Sequence, residues 1–433
     1  MTSMLERMDF DTDVLVIGSG AAGCLAAIKA KEEEAQVLVA TKGPFPCGNT
    51  SIAFGGYAVA LDPRDSPDLH AEDTMKVGGG LNNHKVVKAF INEVVKVTKE
   101  MDAWGIDLVK KEGRFDLKYA SDHTFPRIVH HYDATGRAVM KCLGRRAREV
   151  GIRALEDTII SGLLLRGGEI AGAWGVHYHT GNLVYIRAKS VVLATGGMGH
   201  LFTITDNARP ITGEGYVLAF RAGAELIDME MIDFHLTPCY PERMKGYQIM
   251  SAGLLHGGKG RLYNGLGERF IHRHYPGIGE SQCQHYQSNR AAGIEIFEGR
   301  ATEHGGVYLD ASDVTQEQAA NFPTTWRAFK SAGINLQYQP MEVIPNPHTF
   351  LGGVRIDETG ATTVPGLFAG GEAAGGVHGA NRLGANALAD ALGFGSILGR
   401  SAARYAKRLR GRRESLPEKE IEKELKEIYN LIK

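Results

Sequence analysis

The chain has 433 residues, of which 43% are hydrophobic and 23% charged, so it is long enough for two packed cores and has an ordinary globular composition. Its formal net charge of -1 excludes a broad field that would attract nucleic acid or an anionic membrane. No apolar run reaches the length of a membrane span, and residues 1–13 lack the layout of a secretion signal. These features predict a cytoplasmic protein with a small-molecule partner, no nucleic-acid partner and no direct membrane span.

The cysteines do not form a pattern that binds a metal or makes a redox disulfide. There are five, at positions 24, 47, 142, 239 and 283, and no two of them are spaced as Cys-x-x-Cys. Iron–sulfur clusters, zinc sites and redox disulfides usually need such pairs. The sequence therefore predicts free thiols and no metal site.

A nucleotide-binding unit opens the chain. A compact β-branched run at 13–17 predicts a strand, and it leads into the turn Gly18-Ser-Gly-Ala-Ala-Gly23, a helix at 24–31 and a second strand at 37–41. In such a βαβ unit the glycines allow a tight turn, a close backbone approach to a pyrophosphate, and close packing of helix on strand. The pyrophosphate would lie at the N-terminus of the helix, where free N–H groups and the helix dipole favour an anion.

The nucleotide-binding domain is predicted to be discontinuous. A later strand at 190–194 ends in a glycine pair, and another glycine-rich block, Val364–Glu372, lies far downstream. The sequence between these blocks indicates an inserted α+β domain. We therefore predict an α/β protein with a Rossmann-like first segment at 10–225, a capping domain at 226–347, a second nucleotide-domain segment at 348–410 and a charged helical tail at 411–433.

Motifs spread over nearly the whole chain resemble the flavoprotein subunits of succinate dehydrogenase and fumarate reductase, a family that includes L-aspartate oxidase. The matching segments, in the family's order, are Thr41–Gly56, Leu193–Gly197, Thr212–Gly215, Arg221–Leu226, Met229–His235, Gly267–Phe270, Glu295–Arg300, His348 and Gly371–Gly384. The resemblance implies an FAD-dependent oxidoreductase whose discontinuous Rossmann-like FAD-binding domain carries an inserted α+β capping domain.

The cofactor contacts are expected from the glycine-rich turn and from the segments that match the family. The expected residues are Gly18, Ser19, Gly20, Ala21, Ala22, Gly23, Thr41, Lys42, Gly48, Asn49, Thr50, Gly55, Gly56, Ala194, Gly196, Glu214, Glu372, Asn386, Ala387 and Leu388. By the resemblance, Glu372 would bond a ribitol or ribose hydroxyl. The residues at 386–388 would begin a helix whose N-terminus faces the flavin pyrimidine and stabilises negative charge on the reduced ring.

Two positions depart from the usual dinucleotide and family patterns. The second strand ends in Thr41 and Lys42, without the acidic residue that usually bonds the adenosine ribose, and this weakens an NAD interpretation more than an FAD one. Asn49 occupies the position at which the membrane-bound relatives carry a histidine bonded covalently to the flavin. Because an asparagine amide cannot form that bond, the sequence predicts noncovalent FAD.

The resemblance also implies a catalytic set for hydrogen transfer across a carbon–carbon bond beside a carboxylate. Such a reaction needs hydride from the flavin, cations that polarise the carboxylate, and a proton carrier. Arg290 matches the family's proton-carrying arginine, and Arg382 matches the arginine that clamps a substrate carboxylate with its planar fork of donors. His235 and His348 match two histidines that bond the carboxylate oxygens.

One family element is missing from the predicted site. The dicarboxylate enzymes hold the second carboxylate and relay protons with a Thr-Glu pair followed by a basic residue. Counting back from Asn264 without a gap places Ala252 and Gly253 at the pair and His256 at the basic position. By the resemblance, the family's large C-terminal helical domain is expected to be absent as well. We therefore expect a changed substrate end or proton path, with Ser251 or His256 as possible substitutes.

The leading hypothesis is hydride transfer between FAD and a carbon–carbon bond of a small carboxylic acid of the fumarate or succinate kind. An iron–sulfur or other electron-transfer protein is the implied partner. L-aspartate oxidase is an alternative, favoured by Lys42-Gly-Pro44 and Asp133-Ala-Thr-Gly136, although the acid that would bind its substrate amine is not found before Arg127. A flavoprotein module that passes electrons without catalysis is the alternative from a different class.

Overall fold

The computed structural model describes residues 6–120, 122–256 and 259–409, together with Ile421 and Leu425. The strands are β1 (Arg7–Ile17), β2 (Val37–Ala40), β3 (Tyr57–Ala58), β4 (Lys110–Lys111), β5 (Arg114–Phe115), β6 (Ile128–Val129), β7 (Arg153–Leu155), β8 (Thr158–Arg166), β9 (Glu169–His177), β10 (Leu183–Leu193), β11 (Leu226–Ile227), β12 (Ile232–Tyr240), β13 (Arg261–Tyr263), β14 (Val307–Asp310), β15 (Met341–Phe350), β16 (Gly353–Val354) and β17 (Leu367–Ala369).

The helices lie between these strands, singly or in consecutive pairs, and the last helix follows the last strand. They are α1 (Ala21–Glu32), α2 (Asn49–Ile52), α3 (Pro67–Val77), α4 (His84–Ala103), α5 (Thr135–Glu149), α6 (Glu214–Arg221), α7 (Ser251–His256), α8 (Ile271–His274), α9 (His285–Phe297), α10 (Gln316–Ala319), α11 (Pro323–Ser331) and α12 (Asn386–Arg408). Within the described ranges, no helix is both long enough and apolar enough to cross a membrane.

The nucleotide-binding half is built on one mixed sheet. Its strand order is β7-β2-β1-β10-β9-β8, and β17 pairs with the end of β10. Strands β7, β2, β1, β10 and β17 run parallel, whereas β9 and β8 extend the sheet as antiparallel strands. Residues 14–16 of β1 are fully buried, as expected for a central parallel strand that is covered on both faces. The carboxyl ends of the parallel strands therefore meet at one edge, where open α/β sheets bind their ligands.

Helices α1 and α12 pack closely because glycine removes the side chains at their contact. A Cβ built on Gly399 would lie 2.3 Å from the carbonyl oxygen of Ala26, and one built on Gly395 would lie 2.8 Å from that of Ala22. Both helices belong to the large core that also contains β1 and β10. The last strand and last long helix of the described chain thus return to the first βαβ unit, as a discontinuous domain requires.

A second antiparallel sheet lies in the middle of the sequence, with strand order β12-β15-β14-β13. It has its own core, whose buried members run from Leu236 to Val343. The sequence boundaries of 226 and 347 stay predictions, but this separate core lies between them. The predicted tail at 411–433 falls outside the described residues except for Ile421 and Leu425, which are helical and pack in a small cluster with Trp174.

Candidate active site

A cleft of about 600 Å³ is lined by residues from both halves of the molecule. The first βαβ unit, the segment after β2 and the start of α12 contribute to its walls, and so do β12, β15 and the start of α9. Its size is in the range of cofactor and small-molecule sites. The cleft is the candidate site. One part of its wall is built from glycine-rich turns and helix N-termini, and another part carries charged and titratable side chains.

The first glycine turn has the backbone geometry of a diphosphate cradle. Gly18 has a φ of +105°, and a Cβ built on it would lie 2.2 Å from the carbonyl oxygen of Ala194. A Cβ on Gly23 would lie 2.1 Å from the carbonyl oxygen of Gly18, so the third glycine serves helix–strand packing. Helix α1 begins directly after Gly20 without a side-chain cap. The Ala21 N–H donates to the Thr50 hydroxyl at 3.2 Å, so the N–H groups that follow it and the helix dipole remain for an anion in the cleft, and the diphosphate of FAD fits this wall.

An ion pair at the end of β2 supplies the acid that the sequence lacked there. Lys42 Nζ lies 2.6 Å from Glu214 Oε1, and Thr41 shares a 2.8 Å hydrogen bond with the Ser19 hydroxyl. Although partial burial favours the neutral acid, the hydrogen bonds from Lys42 and Thr212 hold the pKa of Glu214 below its ordinary value. Glu214 lines the cleft as a carboxylate beside the second strand, where a ribose hydroxyl donor would meet it.

A second helix N-terminus opens on the cleft at α12. Its N-cap, Ala385, has a φ of +64° and no side-chain cap is formed, while Ala387 and Leu388 line the cleft. Asn386 differs from the expectation because its buried amide pairs with the His70 ring at 2.8 Å and donates to Thr74 at 2.9 Å. Its side chain fixes the start of the helix against α3, while the expected approach of this helix N-terminus to the flavin stays a prediction.

Asn49 is held by the loop before α6. Its Nδ2 donates to Asn207 Oδ1 at 2.6 Å, and its Oδ1 accepts from the Ala208 N–H at 2.7 Å. The amide therefore crosslinks the two segments on one wall of the cleft. An amide in these bonds has no nucleophilic atom for a flavin methyl group, in agreement with the expectation of noncovalent FAD.

We predict that denaturation with acid releases all of the yellow colour into solution, because Asn49 cannot form a covalent flavin bond. The measurement is flavin absorbance in the supernatant and in the washed precipitate. Asn49→His is the matched variant, since it restores a nucleophilic side chain at this position. Flavin that stays with precipitated wild-type protein would contradict the prediction.

The substrate wall of the cleft contains a group of charged and titratable side chains, which we call the polar cluster: Asp206, Asp233, His235, His285, His348 and Arg382. In its first half, the Asp206 carboxylate accepts from His348 Nδ1 at 2.8 Å and from His235 Nδ1 at 3.2 Å. His235 Nε2 is also occupied, because the Ser251 hydroxyl lies 2.9 Å away. Three elements, β12, β15 and the loop before α6, are thereby joined at one buried carboxylate.

The two histidines on Asp206 have different protonation tendencies. Burial lowers the pKa of His235 to about 4, so this ring is neutral at physiological pH. Burial also opposes the charged form of His348, but attraction and hydrogen bonding to Asp206 outweigh it and raise the pKa of His348 above its ordinary value. These two imidazoles lower the pKa of Asp206 despite its complete burial. The result is one buried carboxylate paired with one imidazolium.

In the second half of the polar cluster, Asp233 connects Arg382 with His285. Its Oδ2 accepts from Arg382 Nε at 3.0 Å and Nη2 at 2.6 Å, and its Oδ1 lies 3.5 Å from His285 Nδ1. Burial would favour a neutral acid, but the charge of Arg382 and the bond to His285 lower the pKa of Asp233 strongly. The carboxylate therefore stays charged and fixes both partners.

Most of the residues expected from the sequence line the cleft. Among the expected catalytic residues, His235, His348 and Arg382 do so, and among the expected cofactor residues, Gly23 and Asn386 do not. Glu372 is partly buried at the cleft wall, accepts from the Phe350 N–H at 3.0 Å, and has its pKa raised by desolvation. The ligand contacts of these side chains stay predictions, while their common location is a structural observation.

Arg290 is not brought to the cleft. Its guanidinium is exposed and its Nη1 donates to the Tyr275 hydroxyl at 3.3 Å. On α9, five residues of separation correspond to a rotation of roughly 140°, so Arg290 and the cleft-lining His285 lie on different faces of that helix. The assignment of the proton step to Arg290 is therefore corrected.

Sequence reasoning missed three members of the polar cluster: Asp206, Asp233 and His285. For Asp233 a signal existed, because residues two apart on a strand share a face and Asp233 precedes His235 by two on β12. For His285 no such signal existed, because the motif match at Arg290 does not fix which face of α9 lines the cleft. Asp206 lies in an irregular loop and offered no local signal.

The missing Thr-Glu relay is replaced by small residues and a partly buried histidine. Ala252 and Gly253 line the cleft on α7, and Ser251 is committed to His235. His256, at the end of α7, also lines the cleft. Its Nδ1 lies 3.3 Å from the Ser281 carbonyl oxygen, its Nε2 is buried with no hydrogen-bond partner among the described residues, and burial lowers its pKa.

Comparison with known proteins agrees with the geometry. Residues 13–388 match the model of an FAD binding domain family. The chain is 41% identical over 409 residues to one of the subunits of the fumarate reductase (CoM/CoB) of Methanothermobacter marburgensis, covering 93% of this chain and 74% of that protein. The chain belongs to this FAD-binding family. It is also 35% identical to the L-aspartate oxidase of Streptomyces coelicolor, covering 88% of this chain and 66% of that one.

Solved structures of the family share its fold. A quinol-fumarate reductase chain superposes with a TM-score of 0.89 at 27% identity, covering 97% of this chain and 76% of that chain. The Sdh1 chain of Mycobacterium smegmatis superposes with a TM-score of 0.85 at 36% identity, covering 97% and 72%. The predicted fold class, the FAD cofactor and the assignment as an FAD-dependent oxidoreductase of the succinate dehydrogenase and fumarate reductase type are confirmed.

Proposed function

We propose that this protein reduces the carbon–carbon double bond of a small unsaturated acid that carries one carboxylate. The proposal rests on one observation. Arg382 and His348, whose pKa is raised, line the same cleft as the glycine turn that would hold the FAD diphosphate. Bound FAD supplies hydride to one carbon of the double bond. The protein must bind the carboxylate, draw electron density toward it, and deliver a proton to the other carbon.

Arg382 is oriented to bind the substrate carboxylate. Asp233 occupies its Nε and Nη2, whereas its Nη1 has no hydrogen-bond partner in the part of the chain that the structure describes. His348 is arranged similarly, because Asp206 occupies Nδ1 and leaves Nε2 for a ligand. Two cationic donors with one free edge each can hold one carboxylate and stabilise the charge that develops on it during hydride addition.

The charge balance of the polar cluster favours a substrate with a single carboxylate. The positive charges of Arg382 and His348 are already paired with Asp233 and Asp206. At the position of the family's Thr-Glu pair, Ala252 and Gly253 offer no side-chain donor to a second carboxylate. Because an unpaired buried charge costs on the order of a few kcal/mol, a second carboxylate should bind poorly here.

We predict that 2-butenoate and larger 2-enoates reoxidise the reduced flavin at least about tenfold more efficiently than fumarate, which corresponds to the loss of one charged hydrogen bond. The measurement is kcat/KM from anaerobic reoxidation at 450 nm with each acid. Ala252→Glu is a matched variant that adds further negative charge and should lower the rate with fumarate most. Efficient turnover with fumarate would contradict the preference, and reoxidation by none of the acids would contradict the proposed function.

An electron-transfer protein is the proposed source of electrons, in keeping with the fumarate reductase relative, whose name describes one component of a larger enzyme. An iron–sulfur protein is the leading candidate by the family resemblance. The test is co-purification of the tagged chain from its native host, followed by metal analysis of the partner. Rapid flavin reduction by NADH alone would argue against such a partner.

Amino-acid oxidation of the L-aspartate oxidase kind is the second candidate, supported by the 35% identical relative. The motif Asp133–Gly136, which favoured this activity from the sequence, has a structural role in this fold. Asp133 accepts from the N–H groups of Thr324 and Thr325 at 2.9 Å, at the start of α11, and a Cβ on Gly136 would meet the Thr50 carbonyl oxygen at 1.9 Å. Hydrogen peroxide production with L-aspartate in air distinguishes this activity from enoate reduction.

A further inference from the structure

We propose that His285 is the proton carrier of this site and that Asp233 positions it, an inference that rests on the proposed function. His285 is the first residue of α9 and lines the cleft with a side chain that is 24% exposed. Its ring centroid lies 5.3 Å from that of His235, at the centre of the polar cluster. The residue therefore has both access to a ligand and contact with the catalytic groups.

The other histidines and the arginine of the polar cluster already have hydrogen-bond partners or a proposed role in binding the carboxylate. Both ring nitrogens of His235 are occupied, by Asp206 and by Ser251. His348 and Arg382 are the cations that bind the carboxylate in the proposed function. His285 keeps Nε2 without a hydrogen-bond partner among the described residues, since Asp233 faces only its Nδ1. Of these imidazoles, His285 is the one with a free nitrogen and no assigned ligand.

Asp233 connects the proton carrier to the carboxylate-binding arginine. One carboxylate, only 3% exposed, faces His285 with Oδ1 and Arg382 with Oδ2. The proton acceptor in the substrate is the carbon next to the carboxylate that Arg382 would bind. Because both groups share one rigid anchor, the arrangement fixes the proton donor near that carbon whenever the carboxylate is bound.

The proposed step conserves atoms and electrons. The substrate receives hydride from reduced FAD on the β-carbon, the π electrons move to the α-carbon and its carboxylate, and the N–H bond of His285 breaks as the α-carbon gains a proton. The double bond gains two electrons, which the bound cofactor would supply in its reduced form. His285 is left neutral, with Nδ1–H directed to Asp233, and regains its proton from solvent.

The central experiment compares His285→Gln with Arg290→Gln, the same change five residues later on α9 and outside the cleft. Anaerobically reduced holoenzyme is mixed with the best 2-enoate, and single-turnover flavin reoxidation is followed at 450 nm. We expect His285→Gln to slow reoxidation by about 10²–10⁴-fold, the range for loss of a general acid, with Arg290→Gln close to wild type. Imidazole added to His285→Ala should restore part of the rate.

Two readouts separate a chemical role from structural damage. Flavin content and the spectral titration of oxidised enzyme with a saturated acid measure binding without turnover, and His285→Gln should keep both. Asp233→Asn should slow reoxidation but tighten binding of the saturated acid, because Arg382 loses its competing carboxylate. Structural damage would weaken both properties together.

The outcomes distinguish this inference from the proposed function. Unchanged reoxidation in His285→Gln, or an equal loss in Arg290→Gln, would overturn the role of His285 while enoate reduction stands. Parallel loss of binding and rate in Asp233→Asn would remove Asp233 as the positioning residue. Wild-type protein that is reoxidised by no acid would overturn the proposed function and this inference with it.

Discussion

Gly18→Ala is expected to yield a protein that retains almost no FAD. Gly18 has a φ of +105°, and the added Cβ would lie 2.2 Å from the carbonyl oxygen of Ala194 and 2.7 Å from its carbon. These backbone atoms directly follow β10, so relief requires β1 and β10 to separate at their carboxyl ends. The turn that presents the first N–H groups of α1 would then lose its geometry, and the diphosphate contact with it.

The matched control is Gly80→Ala. Gly80 also has a positive φ, +76°, but a Cβ built there meets no atom within 4 Å. It therefore carries a backbone penalty of about 1–2 kcal/mol without a steric clash. The measurements are the ratio of flavin to protein absorbance and the Tm of the purified chains. Gly18→Ala protein with normal flavin content would show that this turn does not need glycine. It would contradict the proposed role of the turn in binding the FAD diphosphate.

Arg382→Gln is expected to lower enoate-dependent flavin reoxidation by at least about 100-fold and to raise the apparent KM. Loss of a charged hydrogen bond to the carboxylate weakens the ground state by about 1.5–3 kcal/mol, and the transition state loses more because the negative charge grows there. Initial rates over a range of acid concentrations measure both effects. Unchanged KM and kcat would exclude Arg382 from carboxylate binding.

The stability of this variant needs its own control because Asp233 would lose its guanidinium partner. Asp233 is buried, and removal of one partner of a buried ion pair costs about 3–5 kcal/mol. The double variant Arg382→Gln/Asp233→Asn removes both charges and should recover thermal stability and flavin content without recovering activity. Recovery of activity in the double variant would mean that Asp233, and not the lost clamp, caused the defect.

The sequence alone determined the nucleotide-binding half of the protein. The strand at 13–17, the glycine turn and the helix that follows are specified by neighbouring residues, since φ constraints and a continuous apolar, β-branched run act locally. The structure extends this strand to Arg7 and begins the helix at Ala21. Motif order also predicted the FAD cofactor and the positions of His235, His348 and Arg382, because each has a recognisable local context.

Only the tertiary structure decided which charges meet. Lys42 pairs with Glu214 across 172 residues, Arg382 with Asp233 across 149, and His348 with Asp206 across 142. No local pattern encodes such pairs, because they depend on how β12, β15 and the return of α12 pack around one cleft. Helix phase likewise separates Arg290 from His285, since a motif match records spacing but not the face that tertiary packing buries. The cofactor could therefore be predicted from the sequence, whereas the proton path depends on contacts that exist only once the chain has folded.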